Sequence, residues 1–531
     1  MEVVEYGHWP TGVVSQFGGT DAPGQVGAAC IAVGIHPAGH GQAQGTAMVA
    51  IGHDAGQGGM DRRVCGHRQR RLRQQLALGI GPGKTGMGTT DVGYQTVGRI
   101  GKRRQDGGHG HNRKGRKTAG HLSKAAPACG GCRPTAFRRT MGHCPAVRNA
   151  LVSTTVLRRG RVLAADTFRD DLTVVIEDGR IVALERDPDP EAPLRAGQVD
   201  LEGGWLLPGF IDAQVNGGGG VLFNNDPSVE GIAAIAAAHR RFGTTGLLPT
   251  LISDHPPVMA RAIDAVHRAI DQGVPGVLGI HLEGPYIAPA RKGTHDASTF
   301  RVPGSDELAL AASLDNGVTL LTLAPERVPL EAIRALVERG VVVAAGHTAA
   351  SYEQIAAGLE AGVRAFTHLY NAMSPLTGRE PGTVGAALDD AHSWVGIIAD
   401  GVHVHPASLR VALKAKPRGK VFLVTDAMPP VGADDPRYVL YGETISAVDG
   451  VVRNAAGALA GSALDMATAV RNAVAWLGVD LAEAARMASL YPAQLLNLDD
   501  ARGHIAEGFV ADLVLLEAQL QVRRTWIAGR E

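Results

Sequence analysis

The sequence predicts an α/β protein whose main body is a (βα)8 barrel of the TIM type. Eight short apolar runs between residues 209 and 427 alternate with helix-like stretches, and this alternation favours a barrel over a doubly wound sheet. β-branched runs flank this region on both sides, so we expect a small β-sandwich domain built from both ends of the folded region. A glycine-rich N-terminal extension, predicted to be disordered, precedes both domains.

A change in composition separates this extension from the rest of the chain near residue 148. Residues 1–148 contain 20 lysines and arginines against 7 aspartates and glutamates, whereas the remainder contains 32 against 45. The segment has no sustained hydrophobic period, and it holds all five cysteines, which are Cys30, Cys65, Cys129, Cys132 and Cys144. We predict that 1–148 is a Gly/Arg-rich extension that is disordered, or that it results from a start site placed too far upstream.

The patterns of the remaining residues divide them into two predicted domains. Asp178-Gly179 lies between two β-branched runs and predicts a hairpin, and strand-like runs continue to residue 207. Residues 499–531 have the same character, so 149–207 and 499–531 are predicted to form the sandwich and 208–498 the barrel. The chain shows no secretory signal and no apolar run of bilayer length, and we expect a soluble, cytoplasmic protein.

Titratable side chains follow the predicted barrel strands at their carboxyl ends, where barrel enzymes build their active sites. Glu283 ends "GIHLE", His347 follows "VVVAAG" and His368 follows "RAFT". Each residue alone could be a strand-end cap or a core histidine. Together, one carboxylate and two neutral imidazoles are a normal ligand set for a catalytic zinc ion that keeps one open position. The sequence therefore predicts a metal centre formed by these three residues.

Four further residues near the predicted rim could act on a substrate. Asp426 ends the last apolar run and is not needed as a ligand, so it can accept a proton from a metal-activated water. His295 and His403 add hydrogen-bond donors, and Arg379 supplies a permanent cation suited to a phosphate or a carboxylate. The structural alternatives are a helix cap for Asp426 and exposed loop positions for the other three.

At these residues the chain resembles the N-acetylglucosamine-6-phosphate deacetylases of the amidohydrolase superfamily. The resemblance covers residues 150 to 531, and nine segments carry it in the family order. They are "PGFIDAQVNGGGG", "HLEGPYI", "KGTH", "AGHT", "THLYNAM", "GREPG", "IADGVHVH", "VTDAM" and "LAGSALDM".

The resemblance implies an enzyme that deacetylates N-acetyl-D-glucosamine 6-phosphate to D-glucosamine 6-phosphate and acetate in amino-sugar catabolism or recycling. It implies that Glu283, His347 and His368 bind the divalent metal, that Asp426 is the general acid/base, and that His295 polarises the acetyl carbonyl. The implied substrate contacts are Thr294, His295, Asn371, Ala372, Arg379, His403, Leu459, Ala460 and Gly461. A homodimer is also implied, in which Arg379 can serve the neighbouring subunit.

Gln214 and Asn216 occupy the places where many metal hydrolases carry a His-x-His pair. Amides are poor zinc ligands beside imidazole and carboxylate, so we interpret these two residues as a vacant second-metal position. The family that the chain resembles contains both His-x-His and Gln-x-Asn forms. The prediction is one divalent metal per subunit, zinc first, with Fe²⁺, Co²⁺ or Mn²⁺ as alternatives.

Two other functions compete with this interpretation. The first is another amide hydrolase of the same superfamily, acting on a cyclic amide or a different N-acyl substrate. The second is a non-catalytic barrel whose basic tail binds nucleic acid, since 108–117 is rich in positive charge. The complete Glu-His-His-Asp set disfavours a silent barrel, and we expect neither a membrane nor a nucleic acid as partner of the folded region.

Overall fold

A computed structural model of the chain describes residues 154–531 and the backbone of two short strands, β1 (Cys30–Val33) and β2 (Ala47–Ala50). These two strands pair antiparallel within a first unit, Met1–Phe137, and every other element belongs to a second unit, Arg138–Glu531. The rest of the predicted extension lies outside the described residues. Its disorder, its start-site alternative and its nucleic-acid binding therefore stay predictions.

The second unit begins with seven short strands that pair in both antiparallel and parallel fashion. They are β3 (Thr155–Arg158), β4 (Arg161–Ala164), β5 (Thr167–Arg169), β6 (Leu172–Glu177), β7 (Arg180–Arg186), β8 (Gln198–Asp200) and β9 (Trp205–Pro208). The predicted hairpin joins β6 to β7, where Asp178 and Gly179 have φ angles of 47° and 79°. Two successive positive φ angles are what a two-residue turn of this kind requires. The sheet order β7-β6-β3-β8 gives the first layer of the predicted sandwich.

Eight parallel strands then form the barrel, and each pairs with the next barrel strand along the chain. The first part of the chain path is β10 (Phe210–Val215), the hairpin β11 (Gly217–Gly218) and β12 (Val221–Leu222), α1 (Val229–Arg240), β13 (Thr244–Ile252), α2 (Pro256–Asp271), β14 (Gly279–Glu283), α3 (Ser305–Ala311) and β15 (Val318–Leu323). The second part is α4 (Leu330–Glu338), β16 (Val342–Ala345), α5 (Tyr352–Glu360), β17 (Ala365–Phe366), α6 (Gly382–Asp389), β18 (Trp394–Ile397), α7 (Pro406–Ala415) and β19 (Val421–Leu423). The predicted barrel fold is confirmed.

The burial of the barrel strands explains why their sequences are continuous apolar runs rather than alternating apolar and polar residues. Every residue of β13 is buried, because a barrel strand packs against helices outside and against other side chains inside. Helix α2 buries Met259, Ile263 and Val266, which share one face of the helix at the expected spacing. The apolar core therefore continues from the inside of the barrel to the surrounding helices.

A three-stranded antiparallel sheet that the sequence patterns did not predict follows the barrel. It consists of β20 (Arg437–Leu440), β21 (Glu443–Val448) and β22 (Val451–Arg453). Its inner side chains pack against Leu222, Ile252 and Met428, which lie beside the ends of barrel strands. Helices α8 (Met466–Asn472), α9 (Leu481–Ala488) and α10 (Leu490–Leu495) come next, with a π-helical turn at Ala473–Leu477.

The C-terminal strands complete the second layer of the sandwich. Strands β23 (Leu513–Leu516) and β24 (Val522–Trp526) extend a five-stranded sheet in the order β24-β23-β9-β4-β5. A separate apolar core lies between the two layers and contains Leu157, Leu206 and Trp526. The sandwich from both ends of the folded region is thus present, while the exact domain limits stay predictions. Within the described residues, no helix has both the length and the apolar character needed to cross a bilayer.

The seam between the first and last barrel strands is closed by the fully buried carboxylate of Asp212 on β10. One carboxylate oxygen accepts a hydrogen bond from the Thr425 hydroxyl at 2.5 Å. The other accepts the backbone N–H groups of Gln214 and Thr425 at 3.2 and 3.3 Å. Across the same seam, the N–H of Asp426 donates to the Gln214 carbonyl at 3.0 Å. Asp212 therefore fixes the relative positions of Gln214 and Asp426.

We expect Asp212→Ala to destabilise the fold, because the variant leaves a buried hydroxyl and two backbone N–H groups without their acceptor. The predicted loss is about 2–4 kcal/mol, measured as a lower urea midpoint. Asp434→Ala is the matched control, since Asp434 is exposed and makes no side-chain hydrogen bond among the described residues. Equal midpoints for the two variants would show that Asp212 does not hold the seam.

Candidate active site

Three buried side chains converge at the carboxyl ends of neighbouring barrel strands. Glu283 is the last residue of β14, whereas His347 and His368 each stand two residues beyond the ends of β16 and β17. Glu283 Oε1 lies 3.3 Å from His347 Nε2 and 3.0 Å from His368 Nε2, and the two Nε2 atoms are 3.1 Å apart. The structure therefore brings the three predicted metal ligands together.

The donor atoms of this cluster fit a divalent cation. The Nδ1 atom of His347 lies 2.8 Å from the Arg291 carbonyl oxygen, which can only accept, so Nδ1 carries a proton and Nε2 is the ring atom that faces Glu283 and could bind a cation. Donors about 2.0–2.1 Å from a tetrahedral zinc ion are about 3.3 Å from one another, close to the separations observed here. One carboxylate and two imidazoles also match the preferences of zinc and its neighbours in the first transition row.

His295 lies against the same cluster, so Glu283, His295 and His347 form an alternative set of three metal ligands. Donor atoms of Glu283, His295 and His347 all lie within 4.8 Å of one another. The Nδ1 atom of His295, however, is 2.7 Å from the Ser253 hydroxyl, whereas His368 Nε2 lies 3.0 Å from Glu283 Oε1 and 3.1 Å from His347 Nε2. We therefore keep His368 as the third ligand and His295 as its neighbour. Burial and the adjacent His347 hold the pKa of His295 well below its usual range, so its imidazole is neutral.

The two carboxyl groups of the site have pKa values displaced in opposite directions. Burial opposes the ionisation of Glu283, but hydrogen bonds to His347 and His368 outweigh it and hold its pKa well below the usual value. Burial, followed by repulsion from Glu283, raises the pKa of Asp426 to about 6. Two neighbouring carboxyl groups in such different states are suited to different tasks, one as a permanent anion and one as a proton acceptor near neutral pH.

Gln214 and Asn216 donate hydrogen bonds to these carboxylates. The Gln214 amide nitrogen donates to Glu283 Oε1 and to Asp426 Oδ1, both at 3.1 Å. The Asn216 amide nitrogen donates to the same oxygen of Asp426 at 2.6 Å. The amide of Gln214 thus bridges the two carboxylates, and the amide of Asn216 adds a second hydrogen bond to Asp426. The sequence interpretation of a vacant second-metal position did not foresee this donor role.

Several of the site residues have a left-handed backbone, which is uncommon for residues other than glycine. The φ angles are 47° at His347, 35° at His368, 54° at Asp426 and 50° at Ala372. Such conformations cost on the order of 1–3 kcal/mol each and persist where the surrounding structure enforces them. The backbone turns sharply at the strand ends and directs these side chains into a common space. No sequence pattern indicated this.

A cavity of about 330 Å³ opens above the cluster. Of the predicted substrate contacts, Thr294, His295, Asn371, Ala372, His403, Leu459 and Gly461 line it. Ala460 is fully buried behind this wall, where its carbonyl accepts a hydrogen bond from the Tyr438 hydroxyl. Arg379 is exposed and does not line the cavity of its own chain. Lining residues that sequence reasoning missed include Ile252, Arg291 and Met428.

His403 is held in one orientation by a residue that the sequence reasoning also missed. Its Nδ1 atom lies 2.6 Å from Asp400 Oδ2, and the other oxygen of Asp400 accepts the backbone N–H groups of Val402 and His403. The aspartate therefore fixes the tautomer and leaves Nε2 for a ligand. The spacing of an aspartate three residues before a histidine in "ADGVH" was the available signal.

Comparisons with known proteins identify the family of the chain. Residues 205–531 match the model of the amidohydrolase family. An N-acetylgalactosamine-6-phosphate deacetylase of Shewanella sp. strain ANA-3 is 43% identical over 369 residues, which cover 70% of this chain and 93% of the relative. The Bos taurus N-acetylglucosamine-6-phosphate deacetylase is 38% identical over 391 residues, covering 70% and 93%.

Solved structures give the same result for the fold. The N-acetylglucosamine-6-phosphate deacetylase of Pasteurella multocida superposes with a TM-score of 0.68 at 33% identity, covering 71% of this chain and 98% of that chain. The Mycobacterium smegmatis enzyme gives 0.66 at 34% identity, covering 71% and 99%. The resemblance predicted from the sequence is confirmed, and the chain belongs to the amidohydrolase family and to its group of N-acetylhexosamine-6-phosphate deacetylases.

Proposed function

We propose that the protein hydrolyses the acetamide of N-acetyl-D-glucosamine 6-phosphate, releasing D-glucosamine 6-phosphate and acetate, in amino-sugar catabolism or recycling. The observation that carries this proposal is the pairing of a buried Glu-His-His donor set with Asp426, whose pKa is raised to about 6, beneath one cavity. In a chain of this family, that pairing supplies both a cation site and a proton acceptor for amide hydrolysis.

The 4-epimer of this sugar is the second candidate substrate. The relatives from Shewanella and Escherichia coli, at 43% and 39% identity, are named as N-acetylgalactosamine-6-phosphate deacetylases. They are more similar to this chain than the mammalian relatives at 38% that are named for the glucosamine sugar. The two substrates share the acetamide and the phosphate, so the proposed chemistry is the same for both.

One divalent metal, with zinc as the first choice, is proposed to bind Glu283, His347 and His368. When bound, it supplies Lewis acidity to the attacking water and to the acetyl carbonyl. The hydrogen bonds from Gln214 and Asn216 to the two carboxylates support a single metal, because amide N–H groups repel a second cation from that space. This proposal retains the predicted count of one metal per subunit.

The residues of the chain then divide the proton transfers between them. Ionised Asp426 accepts a proton from the attacking water and later delivers it to the departing amine, so one carboxyl group serves as base and acid. His295, held by Ser253, is placed to donate through Nε2 to the acetyl oxygen as negative charge develops on it. His403, oriented by Asp400, is proposed to hold a sugar hydroxyl. Asn371 and Ala372 line the cavity as proposed phosphate contacts.

Arg379 motivates a proposal about assembly. This arginine is exposed and does not line the cavity of its own chain, as expected for a residue that serves the site of a second copy. We therefore retain the homodimer, with Arg379 serving the neighbouring site, as part of the proposal.

The cytoplasmic location also remains proposed, since a phosphorylated sugar carries charge that prevents passive passage through a bilayer.

The cyclic-amide alternative is disfavoured because Gln214 and Asn216 donate hydrogen bonds where such enzymes bind a second metal.

A substrate panel tests the proposed function directly. Acetate release would be measured on N-acetylglucosamine 6-phosphate, N-acetylgalactosamine 6-phosphate and the two unphosphorylated sugars. We expect the highest kcat/KM with the glucosamine phosphate, and at least about 100-fold lower values without the phosphate, since a charge-assisted contact is then lost. A clear preference for N-acetylgalactosamine 6-phosphate would identify that sugar, the second candidate, as the substrate. No release from either phosphate would contradict both.

Asp426→Asn should separate proton transfer from metal binding. The amide cannot accept the water proton, so kcat should fall by about 10²–10⁴-fold, while metal content by mass spectrometry stays at the wild-type level. Glu283→Gln is the matched comparison, because it makes the same change of carboxylate to amide at a proposed ligand and should lose the metal. Near-normal kcat in Asp426→Asn would remove this residue from the proton transfer.

The pH dependence of the reaction should report Asp426. Below its pKa the carboxyl group is protonated and cannot accept a proton, so kcat/KM should fall as the pH is lowered. The midpoint should lie at or below about 6, since a bound cation would lower the pKa further. Asn216→Leu removes a hydrogen bond that favours the ionised form and should move this acid limb to higher pH. An acid limb that stays in place, or moves to lower pH, would contradict the assignment.

A further inference from the structure

Arg291 is a cation at the wall of the cavity, and no residue within 154–531 forms an ion pair with it. It ends the short 3-10 helix Pro289–Arg291, and among the described residues that line the cavity it is the only lysine or arginine. Its Nε atom is buried and has no hydrogen-bond partner among the described residues. A guanidinium group stays charged at any physiological pH, so a buried N–H without a partner is costly until a ligand accepts from it.

The backbone of the same residue connects this cation to the proposed metal ligands. The Arg291 carbonyl accepts from Nδ1 of His347 at 2.8 Å, and the N–H of Ala288 donates to the His347 carbonyl at 2.9 Å. Gly293, with a φ of 56°, lies so close that a Cβ atom there would be 3.3 Å from the His347 ring. The loop is therefore tied to His347, and Arg291 stands at a fixed place relative to the reacting centre.

The neighbouring cations do not share this environment. Lys292 is exposed and does not line the cavity, and Arg379 is exposed on another loop. A guanidinium group can bind two oxygens of a phosphate at once, which an ammonium group cannot do with the same geometry. Position, burial and hydrogen-bonding capacity therefore distinguish Arg291 from these two cations as a group that is ready to bind an anion.

We propose that Arg291 binds the phosphate group of the substrate, as an anion contact supplied by the chain that also holds the proposed metal. The inference rests on the proposed function, because it identifies which residue recognises the phosphorylated end of the N-acetylhexosamine. A dianion held by Arg291 would fix the distance between the phosphate and the acetamide, so the residue would select for phosphorylated sugars. Arg379 of a second copy would then add to this contact rather than provide the whole of it.

The test compares Arg291→Gln, Arg291→Lys and the matched control Lys292→Gln in the full-length, metal-loaded protein. Calorimetric titration with inorganic phosphate measures the anion site without turnover. We expect Arg291→Gln to weaken phosphate binding by roughly 30-fold or more and Arg291→Lys to restore part of it, while Lys292→Gln binds as the wild type does. Kinetics on phosphorylated and unphosphorylated sugars then measure selectivity, which should fall by a similar factor in Arg291→Gln alone.

Two results would overturn the proposal. The first is wild-type phosphate affinity in Arg291→Gln, which would place the anion on the metal or on Arg379. The second is an equal loss of kcat/KM on phosphorylated and unphosphorylated sugars, which would show that the side chain only maintains the loop and His347. Absence of deacetylase activity in the wild type would instead count against the proposed function, and the phosphate titration would still decide the role of Arg291.

Discussion

The burial of two carboxylates within one small space governs this site. Glu283 and Asp426 share the amide of Gln214 as a common donor, and both lie in the interior at the rim of the barrel. Two adjacent buried anions repel each other strongly, so they persist only with positive charge or hydrogen-bond donors around them. The imidazoles of His347 and His368 lie beside the Glu283 carboxylate. The amide groups of Gln214 and Asn216 donate hydrogen bonds to the Asp426 carboxylate. These surrounding polar groups therefore compensate the negative charges of the two carboxylates.

The barrel makes that compensation geometrically possible. Parallel strands deliver their carboxyl ends to one rim, and left-handed residues turn His347, His368 and Asp426 inward from it. The seam held by Asp212 then sets the distance between Gln214 on the first strand and Asp426 after the last one. The site therefore depends on the closure of the barrel, and it stores backbone strain that the apolar core counterbalances.

Much of this architecture could be predicted from the sequence because it leaves local traces. Strand ends are visible where an apolar run meets a titratable residue, as at Glu283 and Asp426, and the Asp178-Gly179 turn specifies its hairpin. Contacts between distant residues leave no such trace. Gln214 and Asp426 are 212 residues apart in the sequence, so the amide could be recognised as a missing ligand but not as a donor to both carboxylates.

The residues that were missed share the same explanation. The role of Arg291 depends on what its loop faces, and that of Asp400 on a side-chain contact with His403. The sheet β20–β22 was missed because its strands have only three to six residues, with weak alternation. Sequence patterns report the periodicity of single elements, whereas these features arise from packing between elements.

The metal content of the purified protein tests the central claim most directly. If Gln214 and Asn216 replace a second cation with hydrogen bonds, the wild type should hold one metal per chain at saturation by plasma mass spectrometry. The double variant Gln214→His/Asn216→His restores imidazole donors in the same space and should take up a second metal. Two fully occupied metals in the wild type would contradict the account, because the amide donors could not then lie between the two carboxylates.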